Sequence, residues 1–259
     1  MSTVGQREIK TQQRVIHFFQ DELGYRYLGN WEYREDNSNV EEEILSDWLK
    51  RQGHNDKIIN RVLRELNSAR SLGGSKTLYD ANREVYSLLR YGVKVRPDTG
   101  EQHITVWLID WENPDNNDFA IAEEVTVAGE HVKRPDIVLY VNGIALCVLE
   151  LKRSTVSVTE GIRQNLDSQK KEFIRPFFTT VQLVMAGNDT EGLHYGVIKT
   201  QEKYFLTHLL QLQIQSYLYY GITGYEERSW HHNPPLYPMD SPAVGSLPSP
   251  LGEPCHTLP

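Results

Sequence analysis

The chain has 259 residues, of which 39% are hydrophobic and 24% are charged, and its formal net charge at pH 7 is −8. This composition is typical of a globular domain with a substantial core, and the negative charge argues against a free-standing basic DNA clamp. The sequence has neither a run of about 18 apolar residues nor an N-terminal signal segment, so we expect no membrane association and a cytoplasmic location.

The first part of the chain, 1–75, is predicted to form an N-terminal helical layer. Apolar residues recur at helical spacing in 11–23, which predicts the first helix. Asn39, followed by Glu42, resembles the N-terminal cap of a second helix, and Asn55 is expected to begin a third. We see no chemistry in these helices.

The stretch 73–77 partly resembles a phosphate-binding loop. A Walker A loop requires a glycine directly before its lysine, and Ser75 stands there instead. We therefore predict a turn into a helix at 77–91, without an ATP site. Glu84 on this helix could either contribute an acid to a metal site or face solvent, and we favour the solvent-facing position.

From Val93 onward the hydrophobic period changes to two, which predicts strands at 93–95, 104–109 and 119–127. Glu123 and Glu124 lie in the last of these strands, so one of the pair should face inward. A buried carboxylate needs a partner, so that residue either joins a structural ion pair, which we favour, or contributes to a metal site.

The most informative stretch contains two apolar runs, 137–141 and 144–149, joined by Asn142-Gly143. Asn-Gly between such runs predicts a β-hairpin with a type I′ turn, because that turn needs positive φ at both central residues. Antiparallel pairing then returns Asp136 to the sheet edge at which Glu150 and Lys152 end the second strand.

This cluster predicts a magnesium site, because Mg²⁺ prefers hard oxygen ligands and binds one or two carboxylates together with substrate phosphate. Asp136 and Glu150 would supply carboxylates, the main-chain carbonyl of Leu151 a third oxygen, and Lys152 would orient or help deprotonate the attacking water. The alternative is a surface hairpin with solvated charges. We favour the metal site because the three charged residues together fit the spacing Asp-x13-Glu-x-Lys.

Beyond the hairpin, the pattern predicts a helix at 159–172, strands at 181–186 and 193–198, and a long helical run at 204–220. The domain that contains the site is therefore expected to span 76–222. The last segment, 223–259, is rich in proline, glycine and serine and is predicted to be disordered.

The residues Pro135-Asp136 and Glu150-Leu151-Lys152 resemble the PD-(D/E)xK nuclease signature. With the surrounding sequence, the chain from roughly residue 10 to 220 resembles the N-terminal nuclease domain of the restriction (R) subunit of type I restriction-modification enzymes. The stretches that carry this wider resemblance are 133–154, 160–165 and 182–189. The resemblance implies an α/β fold with a mixed β-sheet flanked by helices, and a Mg²⁺-dependent endonuclease that hydrolyses double-stranded DNA.

The resemblance also implies a helper residue. In the family a helix after the second strand often carries Gln-x-x-x-Tyr; Gln164 matches the glutamine, but Ser168 stands in place of the tyrosine. The Gln164 amide would bind a phosphate oxygen or a base edge, or it would lie on a solvated helix face.

The implied partners are double-stranded DNA and the methylation and specificity subunits of a type I complex, with ATP used only in motor domains absent from this chain. Two rival interpretations remain. One is a non-catalytic docking or DNA-binding module that keeps the nuclease fold. The other is a stand-alone repair-type nuclease, which is disfavoured because 133–189 resembles the type I R subunit.

Overall fold

The computed structural model describes residues 3–98 and 100–208, with side chains described for 10–98 and 100–207. The chain separates into two units, Met1–Gly224 and Tyr225–Pro259. The predicted disorder of 223–259, and most of the predicted helix at 204–220, fall outside the described residues.

The described chain contains both α-helices and β-strands. The helices are α1 (Thr3–His17), α2 (Glu42–Arg51), α3 (Asp56–Arg70), α4 (Leu78–Tyr91) and α5 (Val158–Ser168). The strands are β1 (Arg26–Asn30), β2 (Val93–Val95), β3 (Ile104–Val106), β4 (Phe119–Glu123), β5 (Ile137–Val141), β6 (Ile144–Leu151), β7 (Leu183–Asn188), β8 (Gly192–Gly196) and β9 (Leu206–His208).

The main sheet has seven strands in the order β1-β4-β5-β6-β7-β8-β9, and β2 and β3 form a separate two-stranded sheet. The β1–β4 and β6–β7 pairs are parallel and the other neighbours are antiparallel. The parallel β6–β7 pair requires a crossover, which α5 provides. The predicted α/β architecture with a mixed sheet flanked by helices is confirmed.

The hairpin strands β5 and β6 are buried over their whole length, because both sheet faces are covered. On one face, Ile162 of α5 packs with Val148 of β6. On the other face, Ile16 of α1 joins Leu149 and Leu151. Strands buried on both sides read as continuous apolar runs, which explains why these two strands stand out so clearly in the sequence.

The helices α2, α3 and α4 pack together near the turn of the hairpin, where Leu45, Leu66 and Leu89 share a cluster with Ile144. The predicted start of α3 is confirmed, because the Asn55 side chain accepts a hydrogen bond from the backbone N–H of residue 58. The predicted helix at 77–91 is also confirmed. It begins with a capping box in which the Thr77 and Asp80 side chains each accept from the other's backbone N–H.

Several sequence predictions differ from the structure at element boundaries; for example, β3 ends at Val106 and not at residue 109, and α5 ends at Ser168 and not at residue 172. The first helix begins earlier than predicted, at Thr3, and continues at Phe18–Glu22 as a π-helical turn. The strand predicted at 119–127 ends at Glu123, because Glu124 has a φ of 51°, in the left-handed region. The predicted cap at Asn39 is wrong: Glu41 precedes α2, and Asn39 is buried.

The predicted helix at 204–220 is also wrong in its described part. Glu202–Tyr204 is a short 3-10 turn, and Leu206–His208 is an edge strand that pairs with β8. No helix in the described ranges is both long and apolar enough to cross a bilayer.

Candidate metal and catalytic site

The turn of the β5–β6 hairpin and a register shift in its strands together set the pairing that builds the site. Asn142 and Gly143 have φ values of 52° and 81°, as the predicted hairpin turn requires. The Asn142 amide donates hydrogen bonds to Leu108 O at 2.9 Å and to Asn117 Oδ1 at 2.8 Å. Buried hydrogen bonds hold the turn, the pairing then shifts by one residue between Leu139 and Tyr140, and the last backbone pair at the open end is Ile137 with Leu149.

The two carboxylates predicted from the sequence meet at this open end. Asp136 precedes Ile137 and Glu150 follows Leu149, so the register brings them opposite each other. Asp136 Oδ2 accepts a hydrogen bond of 2.6 Å from the backbone N–H of Leu151, which fixes its position. The N–H and C=O of a strand residue point in the same direction, so the Leu151 carbonyl also faces the side of Asp136.

Glu150 is the most unusual residue in the structure, because its carboxyl group is buried with only 1% of the side chain exposed. Its Oε2 atom has no hydrogen-bond partner. Burial raises the pKa of Glu150 well above the ordinary value, and the Asp136 carboxylate, in hydrogen-bonding contact, raises it further. The Lys152 ammonium lowers this pKa, and Glu124 raises it slightly.

Lys152 lies on the same side of the sheet edge as Glu150. Its Nζ is 3.9 Å from Glu150 Oε2, which is an ion-pair distance but too long for a hydrogen bond, and its side chain is 14% exposed. The backbone N–H of Lys152 donates to Gly187 O at 2.8 Å, so the residue is held against β7 although β6 ends before it. A single ammonium therefore faces two carboxylates.

A glycine on α5 allows the helix to approach this cluster. A Cβ added to Gly161 would lie 3.5 Å from Glu150 Cβ, 3.5 Å from Lys152 Cγ and 3.0 Å from Ala186 Cβ. The last distance is tighter than ordinary packing, so only glycine permits this spacing without adjustment. Sequence reasoning gave Gly161 no role, although a glycine inside a helical pattern is a signal of close packing.

Gln164 lies one helical turn after Gly161 and is half-buried. Within the described chain, no hydrogen bond links its side chain to Asp136, Glu150 or Lys152. The structure thus gathers three of the predicted side chains with the Leu151 backbone, and it places Gln164 on the neighbouring helix without joining it to them.

The other acids considered from the sequence have partners elsewhere. Glu84 is exposed on α4 and pairs with Lys76 at 2.6 Å. Glu123 accepts hydrogen bonds from Gln12 at 2.8 Å and from the Tyr27 hydroxyl at 2.5 Å.

Glu124 forms an ion pair with Arg134 at 2.8 Å, and its backbone N–H donates to Asp136 O at 2.8 Å. Glu124 therefore combines the structural ion pair favoured from the sequence with a position beside the carboxylate cluster. In the described part of the chain, no group of three or more His, Cys, Asp or Glu side chains is arranged to hold a metal. From the described residues, a metal at the hairpin edge would therefore have at most two such side chains as ligands, with backbone, water or substrate oxygens in its other positions.

This donor set fits Mg²⁺, which takes one or two carboxylates and leaves the remaining positions to water and phosphate. The unpartnered Oε2 of Glu150 is the observation that tests the fit. Leaving a buried carboxylate oxygen without a partner is costly, and a divalent cation between Asp136 and Glu150 would remove both that cost and the repulsion between the two groups.

The chain is similar in sequence to subunits of type I restriction enzymes. Residues 5–203 match the family model described as type I restriction enzyme R protein N terminus. The type I restriction enzyme HindI endonuclease subunit of Haemophilus influenzae is 32% identical over 114 residues, which are 40% of this chain and 10% of that protein. The EcoprrI endonuclease subunit of Escherichia coli is 27% identical over 100 residues, 38% of this chain and 32% of that subunit.

The SauCOLORF180P endonuclease subunit of Staphylococcus aureus strain COL is 23% identical over 145 residues, which are 55% of this chain and 15% of that subunit. The chain therefore spans a third or less of the length of each of these three relatives.

Proposed function

The chain belongs to the type I restriction enzyme R protein N-terminal family, and from this membership and the site geometry we propose that it is a Mg²⁺-dependent endonuclease module. Its substrate is double-stranded DNA, in which it hydrolyses phosphodiester bonds. Sequence selection and movement along DNA then reside outside these 259 residues, in methylation and specificity subunits and in an ATP-driven motor.

The observation that carries this proposal is the buried carboxylate of Glu150, which lies next to the half-buried Asp136. A structural role for Glu150 would be expected to come with hydrogen bonds to both of its oxygens, yet Oε2 has none and Lys152 Nζ remains 3.9 Å away. The buried Glu150 and the half-buried Asp136 beside it also destabilise the metal-free fold. Groups kept at such a cost are characteristic of functional sites.

Each residue at the site has a role in hydrolysis. A bound Mg²⁺ would supply Lewis-acid chemistry and offset the charge that develops on the phosphoryl oxygens. Asp136, held by the Leu151 N–H, and Glu150 would hold the metal together with the Leu151 carbonyl. The Lys152 ammonium would orient the attacking water, and Gln164 would bind a phosphate oxygen of the substrate from α5. In the reaction, the water oxygen forms a bond to phosphorus while a phosphorus–oxygen ester bond breaks.

A plasmid assay tests the proposal. The purified chain is incubated with supercoiled plasmid in Mg²⁺ or EDTA, alone and after addition of methylation and specificity subunits with a motor-containing R subunit whose own nuclease site is inactivated. Asp136→Asn, Glu150→Gln and Lys152→Met should abolish Mg²⁺-dependent nicking. Glu84→Gln, which removes an exposed acid of α4, serves as the matched control and should cleave like the wild type.

The outcomes separate the competing interpretations. Cleavage by the wild type and the control, but by none of the three site variants, supports the endonuclease. Cleavage that is absent from the wild type under all conditions supports the rival docking module. Equal cleavage by the wild type and Glu150→Gln would contradict the assignment of the site.

A further inference from the structure

A second polar feature lies at the same end of β6 as the carboxylates, on the side of α1. A cavity of about 450 Å³ opens between α1 and the segments that follow β6 and β7. Its lining is dominated by basic side chains: Lys10, Arg14 and His17 from α1, and Arg153 from the segment after β6. We refer to this feature as the basic groove.

The charges in the basic groove are not balanced. Asp189 is the acid in its lining, and both of its carboxylate oxygens accept from Arg14 Nη2, at 2.7 and 2.6 Å. Lys10 and Arg153 make no ion pair with a carboxylate anywhere in the described ranges. Three cationic side chains thus face one carboxylate, in a chain whose formal net charge is −8.

The groove is also preorganised. Arg14 is oriented by Asp189 through one nitrogen, so the other donors of its guanidinium, at Nε and Nη1, remain available to an anion. The segment after β6 is tied to the β7–β8 turn, because Thr190 Oγ1 donates to Ser154 O at 3.2 Å and Asn188 Nδ2 donates to Val156 O at 2.8 Å. Arg153 is therefore presented from a restrained backbone.

The position of the groove relates it to the carboxylate site. Arg153 directly follows Lys152 and is three residues from Glu150, so its Cα is at most about 11 Å from that of Glu150. Successive phosphates of one DNA strand advance by about 3.4 Å along the helix axis. Because these phosphates also rotate about the helix axis, their direct separation exceeds this rise, and a strand with one phosphate at Glu150 would bring a phosphate about one or two nucleotides away to the groove.

We propose that the basic groove is a backbone-phosphate subsite, in which Lys10, Arg14 and Arg153 hold the DNA strand whose scissile bond lies at Asp136 and Glu150. This inference rests on the proposed nuclease function and adds the residues that position the substrate. Contacts to phosphates fix the register of a protein on DNA without reading its sequence, and Lys and Arg provide most of them. The subsite is therefore indifferent to base sequence.

Salt-dependent binding tests the subsite. The affinity of the full chain for a fluorescein-labelled blunt-ended DNA duplex is measured by anisotropy at several KCl concentrations, in EDTA so that cleavage plays no part. Lys10→Gln and Arg153→Gln should each reduce the magnitude of the slope of log K against log [KCl] by about 0.9, the contribution of one phosphate contact. The matched control is Arg64→Gln, which removes an exposed cation from α3 and should leave the slope unchanged.

Two results would contradict the subsite. One is that the wild type does not bind the duplex. The other is that Lys10→Gln and Arg153→Gln have the same salt slope as Arg64→Gln. A further arm adds inorganic phosphate at the ionic strength of the KCl series. If phosphate displaces the duplex from the wild type more than KCl does, but not from Arg153→Gln, the groove binds small phosphate compounds instead of DNA.

The binding assay and the plasmid assay together distinguish the subsite from the nuclease function. Glu150→Gln should bind the duplex with the wild-type salt slope and fail to cleave plasmid. A chain that binds through the groove but never cleaves contradicts the nuclease function and leaves the groove intact. If the chain cleaves plasmid but Lys10→Gln and Arg153→Gln keep the wild-type salt slope, the nuclease function is supported and the subsite is contradicted. Thermal unfolding followed by circular dichroism confirms that each variant is folded.

Discussion

At the scale of single residues, the candidate site is centred on one buried acid, Glu150. Glu150 is surrounded by apolar packing on β6, next to a second carboxylate and 3.9 Å from its nearest ammonium. Burial of a charge without full compensation is unfavourable, so the metal-free protein should respond to pH through this residue.

The first prediction concerns this pH response in EDTA. Burial and the Asp136 carboxylate raise the pKa of Glu150 in the folded state above its ordinary value of 4.5. The folded state therefore holds the proton more tightly than the unfolded state. The resulting stability is fully present below the ordinary pKa and is lost as pH rises towards the folded-state pKa. Melting temperatures of the wild type should accordingly fall over this range.

Glu150→Gln removes the titrating group, so its melting temperature should depend less on pH than that of the wild type. Glu160→Gln, an exposed acid on α5, is the control and should retain the wild-type dependence. Mg²⁺ should raise the melting temperature of the wild type and leave that of Glu150→Gln unchanged. Parallel pH curves for the wild type and Glu150→Gln would show that Glu150 is not the strained group.

A second prediction concerns Gly161. Replacement by alanine places a methyl group 3.0 Å from Ala186 Cβ and 3.5 Å from Glu150 Cβ, so α5 must move by a few tenths of an ångström. Alanine favours the helix by up to about 1 kcal/mol, which offsets the crowding, so stability should change little. The cleavage rate should fall by about tenfold, because catalysis is sensitive to such displacements. Gly73→Ala, which meets nothing within 4 Å, should cleave normally.

The sequence identified Asp136, Glu150 and Lys152 because their convergence follows from one local signal, the Asn-Gly turn, and from strand alternation. The role of Gly161 could not be predicted from the sequence, because it depends on the distance between α5 and the sheet. Asn39 was misread as a cap for the same kind of reason. Its amide donates instead to Phe177 O at 3.0 Å, a residue 138 positions away.

At the scale of elements, the β5–β6 hairpin is the unit that holds the site. Its turn is buried against α2, where Gly143 O accepts a hydrogen bond of 2.8 Å from the backbone N–H of Glu41. The turn therefore connects the helical cluster at one end of the hairpin to the register of the carboxylates at the other end.

The third prediction tests the close approach of this turn. A Cβ at Gly143 would lie 2.8 Å from Glu41 O and 2.9 Å from Leu45 N, and its φ of 81° also disfavours any side chain. Gly53 has a similar φ of 87° but meets nothing within 4 Å, so it is a matched control for backbone strain alone.

Gly53→Ala should lower the free energy of unfolding by about 1 to 2 kcal/mol, the cost of the left-handed backbone. Gly143→Ala should lower it by clearly more, because the contact with α2 is added to that cost. Urea denaturation measures both values. Equal losses in the two variants would mean that the turn is not closely packed against α2.

Element boundaries were predicted well where the signal is local and poorly where tertiary structure decides. Asn55 caps α3 as predicted, and Thr77 caps α4 at the predicted start of that helix, since capping depends on adjacent residues. Leu206–His208 forms an edge strand in place of the predicted helix, because pairing with β8 outweighs the helical spacing of its leucines.

At the scale of the whole molecule, the sheet order explains how distant segments meet at one edge. The parallel pairing of β6 with β7 brings the carboxyl ends of both strands together, so the carboxylate site and the basic groove share that edge. The family resemblance implied a mixed sheet, but the sequence pattern could not supply this strand order, because nothing local records which strands become neighbours. The groove was invisible in the sequence for this reason, since α1 and Arg153 are far apart along the chain.

The central claim is that Asp136 and Glu150 together hold one divalent metal, and anomalous diffraction from crystals of the full chain soaked in Mn²⁺ tests it most directly. The account predicts an anomalous peak within about 2.5 Å of a carboxylate oxygen from each residue, and no such peak in Glu150→Gln crystals. Manganese bound elsewhere in the wild type, with the edge between Asp136 and Glu150 empty, would contradict it.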